Sequence, residues 1–466
     1  MTRSTKRWGG AALRAVLLIA TCFACGREAP ELPRPTGDVN DIALLSERSD
    51  INVLFILIDT LRADRLGAYG YHRDTSPAID SLASSGVRFA HHLSQSSWTK
   101  CSMASLWTGL YPARTGVLRF NHAVSPEATM PAEIFSGAGF DTAAIWRNGW
   151  VAPNFGFAQG FETYHNPSGS SPPTAVRREN PAITIKGTDN DAMRAAVEFL
   201  RTRRDQRWFL YLHLMDVHQY VYDEESAVFG TSYSDMYDSS IRWLDRNLEE
   251  LLSTLEYWKL RDRTLVVLAS DHGEAFGEHG LEGHARNLYG EVTETPFILS
   301  FPFRLEPGIV VESRSENVDI WPTILALMGL PPLENVDGRS RLAEIEAAAR
   351  GTQGTPGKEP VAIAHLDQTW GRTQQEPSPI VALTRGEFRL IHHENQPERV
   401  ELYALEDDPR ESQNVAEIHP EAAADLAAEA ERYLEQDAVP WAEGTPTVEL
   451  DEMLLHQLRA LGYKLD

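Results

Sequence analysis

Cysteine is scarce in this chain. Three occur in 466 residues, Cys22, Cys25 and Cys101, which excludes a disulfide framework as the source of stability. Positive charge is also short. Against 67 Asp and Glu stand 43 Lys and Arg, for a formal net charge of -24, and no basic cluster interrupts the pattern. That excludes nucleic acid as a partner, because phosphate backbones are held by grouped Lys and Arg. A multi-span membrane domain is missing, and no segment repeats at a fixed period.

What basic charge there is at the start has a meaning of its own. Arg3, Lys6, Arg7 and Arg14 precede the apolar stretch Ala15 to Ala24, which is too short to span a bilayer and has the form of an export signal. Residues 1–25 resemble a bacterial lipoprotein signal, with Cys25 favoured over Cys22 as the lipidated residue. The expectation is an exported protein of the cell envelope, lipid-anchored to the membrane and facing the periplasm or exterior. Residues 26–49, with several Pro and charged residues, read as a tether, so ordered structure should begin near Ile51.

From there the length suggests one large domain and a smaller one. Ile51 to Ile58 is almost continuously apolar and β-branched, as a strand buried on both faces of a parallel sheet must be. Apolar strands then alternate with amphipathic helices: helix Ser76 to Ser85, strand Thr142 to Trp146, helix Asp189 to Arg203, strand Trp208 to Met215, helix Ser234 to Leu255, strands Thr264 to Ser270 and Pro296 to Phe301, and helix Val318 to Met328. Such alternation builds an α/β fold with a largely parallel central sheet covered on both faces, here over residues 50–350. The Gly/Thr/Pro run Gly351 to Gly357 marks a boundary. Strand-like runs Val361 to His365, Ile380 to Thr384, Phe388 to His392 and Glu401 to Leu405, with a helix from Pro420 to Leu434, predict a small C-terminal α+β subdomain over 358–436. A tail, 437–466, follows.

Two strands end in metal-binding chemistry. Ile51 to Ile58 stops at Asp59, and Leu265 to Ser270 stops at Asp271-His272-Gly273-Glu274. In open α/β sheets ligands collect at the carboxyl ends of strands, so Asp59, Asp271 and His272 can converge on one divalent ion. Between them in sequence lies Gln95 to Gly109, in which small hydroxyl residues run into an apolar helix, a place where free backbone amides attract anions. Thr99, Ser102, Ser96 and Cys101 are all candidate nucleophiles there, and residue chemistry alone leaves the choice open. A metal or adjacent base must help remove an alcohol's proton, so the nucleophile must reach the ion.

These stretches also carry a resemblance. Asn52 to Gly67, Ala104 to Pro112, Ser270 to Glu274 with Gly277 to Gly280, and Glu401 to Pro409 with Asn414 resemble the sulfatase family of the alkaline phosphatase superfamily, a likeness that covers roughly Ile51 to Val415. The resemblance implies an alkaline-phosphatase-like α/β sandwich with a small C-terminal domain. It also implies that Thr99 stands where sulfatases carry a Cys or Ser oxidised to formylglycine, with Cys101 at the Pro position and Met103 at the Arg position of the modification signal. Thr cannot become that aldehyde. A Thr there is similar to phosphodiesterase and envelope-transferase branches, in which it attacks phosphorus.

By the same resemblance Asp216-Val-His218 matches a motif whose His, here His218, serves as oxyanion contact or proton donor. His284 falls where a further active-site His or metal ligand stands, and His279 orients its loop. Thr60 replaces a second Asp, and a nitrogen ligand from His272 puts Zn or Mn ahead of Ca or Mg. One metal ion is expected; a second would require Asp216, His218 and His284 as its ligands. The family's Lys-Trp-His segment is replaced by Trp146-Arg147-Asn148, so Lys100, Arg147 and Asn148 are the candidate substrate contacts. The resulting expectation is a metal-dependent hydrolase of sulfate or phosphate/phosphonate esters, on a small-molecule, lipid-headgroup or glycan substrate. The alternatives are an envelope phosphoethanolamine or phosphoglycerol transferase and a non-catalytic binding lipoprotein.

Overall fold

The computed structural model describes residues 34–167, 169, 173–179, 187–353, 360–367, 378–436 and 439–449. Its centre is an eight-stranded sheet: β1 Asn52–Ile58, β2 Val87–Phe89, β3 Asp141–Ile145, β4 Thr163–His165, β5 Trp208–Leu214, β6 Thr264–Ala269, β7 Phe297–Ser300 and β8 Ile309–Val311. Their order across the sheet is β8-β2-β7-β6-β1-β5-β3-β4. Only β7 runs against its neighbours; every other pairing is parallel, as the alternation of elements requires.

β1 lies between β5 and β6, with Leu57 opposite His213 in one register and opposite Ala269 in the other. All seven of its residues are buried, because helices cover both faces. Leu54, Ile56 and Ile58 face the helices Pro77–Ser84, Asp189–Thr202 and Tyr233–Tyr257. Val53, Phe55 and Leu57 face an aromatic core in which Trp107 stacks on Trp321 at 4.8 Å. Strand parity therefore sorts one apolar run into two cores.

The small subdomain is a four-stranded antiparallel meander, β9 Ala362–Asp367, β10 Pro379–Arg385, β11 Phe388–His393 and β12 Val400–Ala404. Leu426, Ala430 and Tyr433 of the helix Pro420–Leu434 close its outer face on Val381, Leu383, Leu390 and Leu402. Two expectations need correction. Residues 34–49, read as part of a tether, are folded: Thr36–Gly37 pairs with Arg304–Leu305, Asp38 caps the helix Val39–Leu44, and Ile42 and Leu45 are buried. In the expected tail, residues 439–449 dock on the large domain, where Trp441 donates to the Thr115 carbonyl and Val448 to that of Asn121. The signal segment and Gly354 to Gly357 lie outside the described residues.

Candidate active site

The parallel pairing brings the ends of β1 and β6 side by side, and with them Asp59, Asp271 and His272, all fully buried. One ligand atom from each lies within 4.8 Å of the others. The turn after β1 holds the two carboxylates together. Thr60 adopts a left-handed conformation at φ 65, donates its amide to Asp271 Oδ1 at 3.2 Å and turns its hydroxyl onto the Asp59 carbonyl at 2.6 Å. A β-branched residue rarely sits in that region, and Tyr237, which donates to the Thr60 carbonyl at 2.6 Å, helps to hold it there.

The donor set suits a divalent cation. Asp59 Oδ1 and Asp271 Oδ2 are buried without a hydrogen-bond partner among the described residues. His272 Nδ1 donates to the Gly273 carbonyl at 2.9 Å, so in the neutral ring Nε2 carries the lone pair. Burial pushes the Asp271 carboxyl up, and the nearby Asp59 carboxylate adds to it. For Asp59 burial acts in the same sense, but His218, His213 and His272 outweigh it and the group is held low. Two carboxylates so close and so dry need positive charge between them.

Thr99 opens the helix Thr99–Thr108, with Trp98 as its N-cap. Its Oγ1 lies 3.2 Å from His272 Nε2 and 3.4 Å from Asn148 Nδ2. The other nucleophile candidates point elsewhere. Ser102 donates to the Asp271 carbonyl at 2.6 Å, and Cys101 is buried against the His365 carbonyl, its thiol pushed up to about 12 by desolvation. Ser96 Oγ is buried without a hydrogen-bond partner among the described residues.

His218 and His284 complete a row of imidazoles, His284 lying 4.7 Å from His272 and His218 5.0 Å from His284, ring centre to ring centre. Neither His218 nitrogen has a partner among the described residues, and burial brings that ring down to about 4. Burial also opposes charge on His284, but Glu274, 2.9 Å from its Nδ1, overcomes this and raises it.

Four assignments change. Arg147 lies in a buried ion network, donating to Asp189 at 2.6 Å, Asp216 at 2.5 Å, the Gly187 carbonyl and Gln219, so its guanidinium serves the scaffold rather than a substrate. Asp216 is consumed by the same network, its other oxygen accepting from Trp243 and the Asp189 amide, which removes it from any second metal site. Lys100 is fully buried in a box of Trp98, Trp150 and Phe155 and donates to the Phe120 and His122 carbonyls. Asn148, expected to touch substrate, instead bridges: its amide nitrogen reaches Asp59 Oδ2 at 2.6 Å as well as Thr99, and its oxygen accepts from the Trp150 amide. His279 stacks on Tyr289 at 3.7 Å and bonds Glu291 and the Glu411 carbonyl, contacts that hold its loop.

Sequence reasoning missed His213 and Tyr211. His213 Nε2 donates to Asp59 Oδ2 at 3.0 Å, and the Tyr211 hydroxyl donates to His213 Nδ1 at 2.7 Å. The available signal was a lone imidazole inside an otherwise apolar strand, where a buried polar group must have a partner.

Comparison with known proteins gives the family and the fold. A family profile described as Sulfatase matches residues 51–330, and one described as N-sulphoglucosamine sulphohydrolase, C-terminal, matches 277–438. An ulvan-active sulfatase of Formosa agariphila is 24% identical over 393 residues, covering 73% of this chain and 76% of its own. An N-acetylgalactosamine-6-O-sulfatase of Bacteroides thetaiotaomicron is 22% identical over 488 residues, covering 81% and 91%. Among solved structures, the phosphonate monoester hydrolase of Agrobacterium radiobacter superposes with a TM-score of 0.66 at 18% identity, covering 86% of this chain and all of that one (100%).

Proposed function

The chain belongs to the sulfatase family and is an ester hydrolase, and from that premise we propose that Thr99 is its nucleophile and that phosphate or phosphonate esters are its preferred substrates over sulfate esters. The observation that carries the reading is the Thr99 hydroxyl 3.2 Å from His272 Nε2, beside two buried carboxylates with unpaired oxygens. Thr99 cannot supply the hydrated aldehyde of a formylglycine enzyme, but its alcohol can form an ester to phosphorus.

Asp59 Oδ1, Asp271 Oδ2 and His272 Nε2 would hold one divalent cation, with Zn or Mn favoured by the nitrogen donor. When bound, such an ion supplies Lewis-acid polarisation of the ester oxygen and a lower pKa for the neighbouring alcohol. Asn148 orients Thr99 by donating to Oγ1, and the open end of the Thr99–Thr108 helix turns backbone amides toward an anionic group. Thr99 Oγ1 gives its proton to solvent and bonds to phosphorus while the ester bond to the leaving alcohol breaks; water then attacks phosphorus, the P–Oγ1 bond breaks and Oγ1 regains a proton. His218, with both nitrogens free of partners among the described residues, contacts the oxyanion, and His284, backed by Glu274, supplies the leaving group's proton.

Two relatives named for ulvan and for N-acetylgalactosamine-6-O-sulfate support a glycan ester among the substrates, beside lipid-headgroup and small-molecule esters. The test is turnover of bis(p-nitrophenyl) phosphate against p-nitrophenyl sulfate, with metal analysis of the purified protein. The phosphate diester should be the faster substrate, Thr99→Ala should lower its turnover on the order of a thousandfold, and mass spectrometry of quenched enzyme should find phosphate on Thr99. Sulfate turnover that survives Thr99→Ala overturns the mechanism, and a metal-free, inert protein points to a binding role. We also propose export and a lipid anchor. Mass spectrometry of the mature N-terminus should find acyl chains on Cys25; an unacylated terminus removes the anchor.

A further inference from the structure

Asp59 uses its two carboxylate oxygens differently. Oδ2 accepts from Asn148 Nδ2 at 2.6 Å and from His213 Nε2 at 3.0 Å, while Oδ1 has no partner among the described residues. A carboxylate with two donors on one oxygen cannot turn that oxygen to a new ligand without breaking both bonds. Its free oxygen, Oδ1, is therefore the one left to take a ligand.

The donor from His213 is itself set from behind. A carboxylate oxygen only accepts, so His213 must carry its proton on Nε2. Nδ1 then accepts from the Tyr211 hydroxyl at 2.7 Å, which makes the tautomer a consequence of the tyrosine. Tyr211 has little freedom. Its ring stacks on Phe55 at 5.7 Å and meets Trp107 edge-on at 4.9 Å, inside the aromatic core. Both residues lie on β5, two apart, on the face turned to that core.

We propose that Tyr211 and His213 form a positioning relay that anchors Asp59 Oδ2 to the aromatic core and so fixes the presentation of Oδ1 to a divalent cation. Neither residue touches substrate. The relay acts through Asp59, and it rests on the reading that Asp59, Asp271 and His272 hold the ion. Partners of this kind, one bond removed from a metal ligand, commonly change affinity 10–100-fold when removed.

The measurement is calorimetric titration of Mn²⁺ into the metal-free full chain, paired with thermal unfolding in excess chelator. Tyr211→Phe deletes one oxygen and keeps the ring packing; His213→Phe removes the donor; His213→Gln keeps an amide donor. Tyr211→Phe and His213→Phe should weaken Mn²⁺ binding by about tenfold or more, and His213→Gln should recover most of the loss. If His213→Phe does not fold, Tyr211→Phe decides alone. Wild-type Mn²⁺ affinity in Tyr211→Phe, whatever its melting temperature, overturns the relay and leaves the cation reading standing. A wild-type chain that binds no Mn²⁺ overturns both.

Discussion

Arg147 shows how much a single side chain's direction decides. Its guanidinium is 6% exposed and faces two carboxylates, of Asp189 and Asp216, that are not exposed at all. Arg147→Met would leave both buried acids without their cation, and breaking a buried pair in this way costs about 3–5 kcal/mol. Urea denaturation should show a loss of that size, while the KM of whatever folded protein remains should stay near wild type, since the residue does not face the substrate. The convergence of Asp59, Asp271 and His272 was legible because a strand end is a place that sequence can mark. Thr99 emerged by likeness, and the roles of Arg147, Lys100 and Asn148 did not emerge, because neighbours in sequence do not reveal which way a side chain leaves the backbone. His213 stayed hidden for a related reason. Its partner, Asp59, lies 154 positions away and meets it only through strand pairing.

At the scale of elements, long periodic segments were readable and short ones were not. The helix Pro420–Leu434 and the strands β1, β3, β5, β6 and β7 fall within a residue or two of expectation, because a sustained apolar pattern leaves little ambiguity. β2, β4 and β8 have three residues each, too few to show a period, and exist through their neighbours in the sheet. The loop after β6 is held by chemistry rather than by pattern. Burial opposes charge on His279, but Glu291 at 2.8 Å and the Glu411 carbonyl overcome it and lift the ring from 6.5 to about 9. A raised imidazole stabilises the fold fully below its unfolded value, and the contribution fades as pH rises through the folded one. His279→Gln should therefore melt below wild type at about pH 6 and match it by about pH 10. A gap that persists unchanged across that range would assign the loss to stacking on Tyr289 instead.

Over the whole molecule, Glu316 joins parts that sequence separates. Its carboxylate accepts from Gln95 at 3.0 Å, before the Thr99–Thr108 helix; from Tyr111 at 2.9 Å, beyond that helix; and from the Ile363 amide at 3.1 Å, on the first strand of the small subdomain. Glu316→Ala removes the acceptor of the buried Gln95 amide and of two part-buried donors, of which Tyr111 keeps the Val361 carbonyl, so a loss of about 1–3 kcal/mol is expected in chemical denaturation. Glu316→Gln keeps an acceptor oxygen and should lose less; equal losses would show that volume rather than hydrogen bonding matters there. The two-part architecture was legible from the Gly351 boundary and the switch in periodicity. The folding of residues 34–49 was not, because its helix rests on one capping box and two buried apolar side chains.

The pairing of Leu57 with His213 carries one more consequence. Successive residues of a strand point to opposite faces, so gaining or losing one residue within Trp208–Leu214 would exchange the imidazole for a leucine beneath Asp59. Insertions and deletions should thus be purged from this strand even where substitutions are forgiven, since the spacing of its backbone works as a gauge for a carboxylate on another segment.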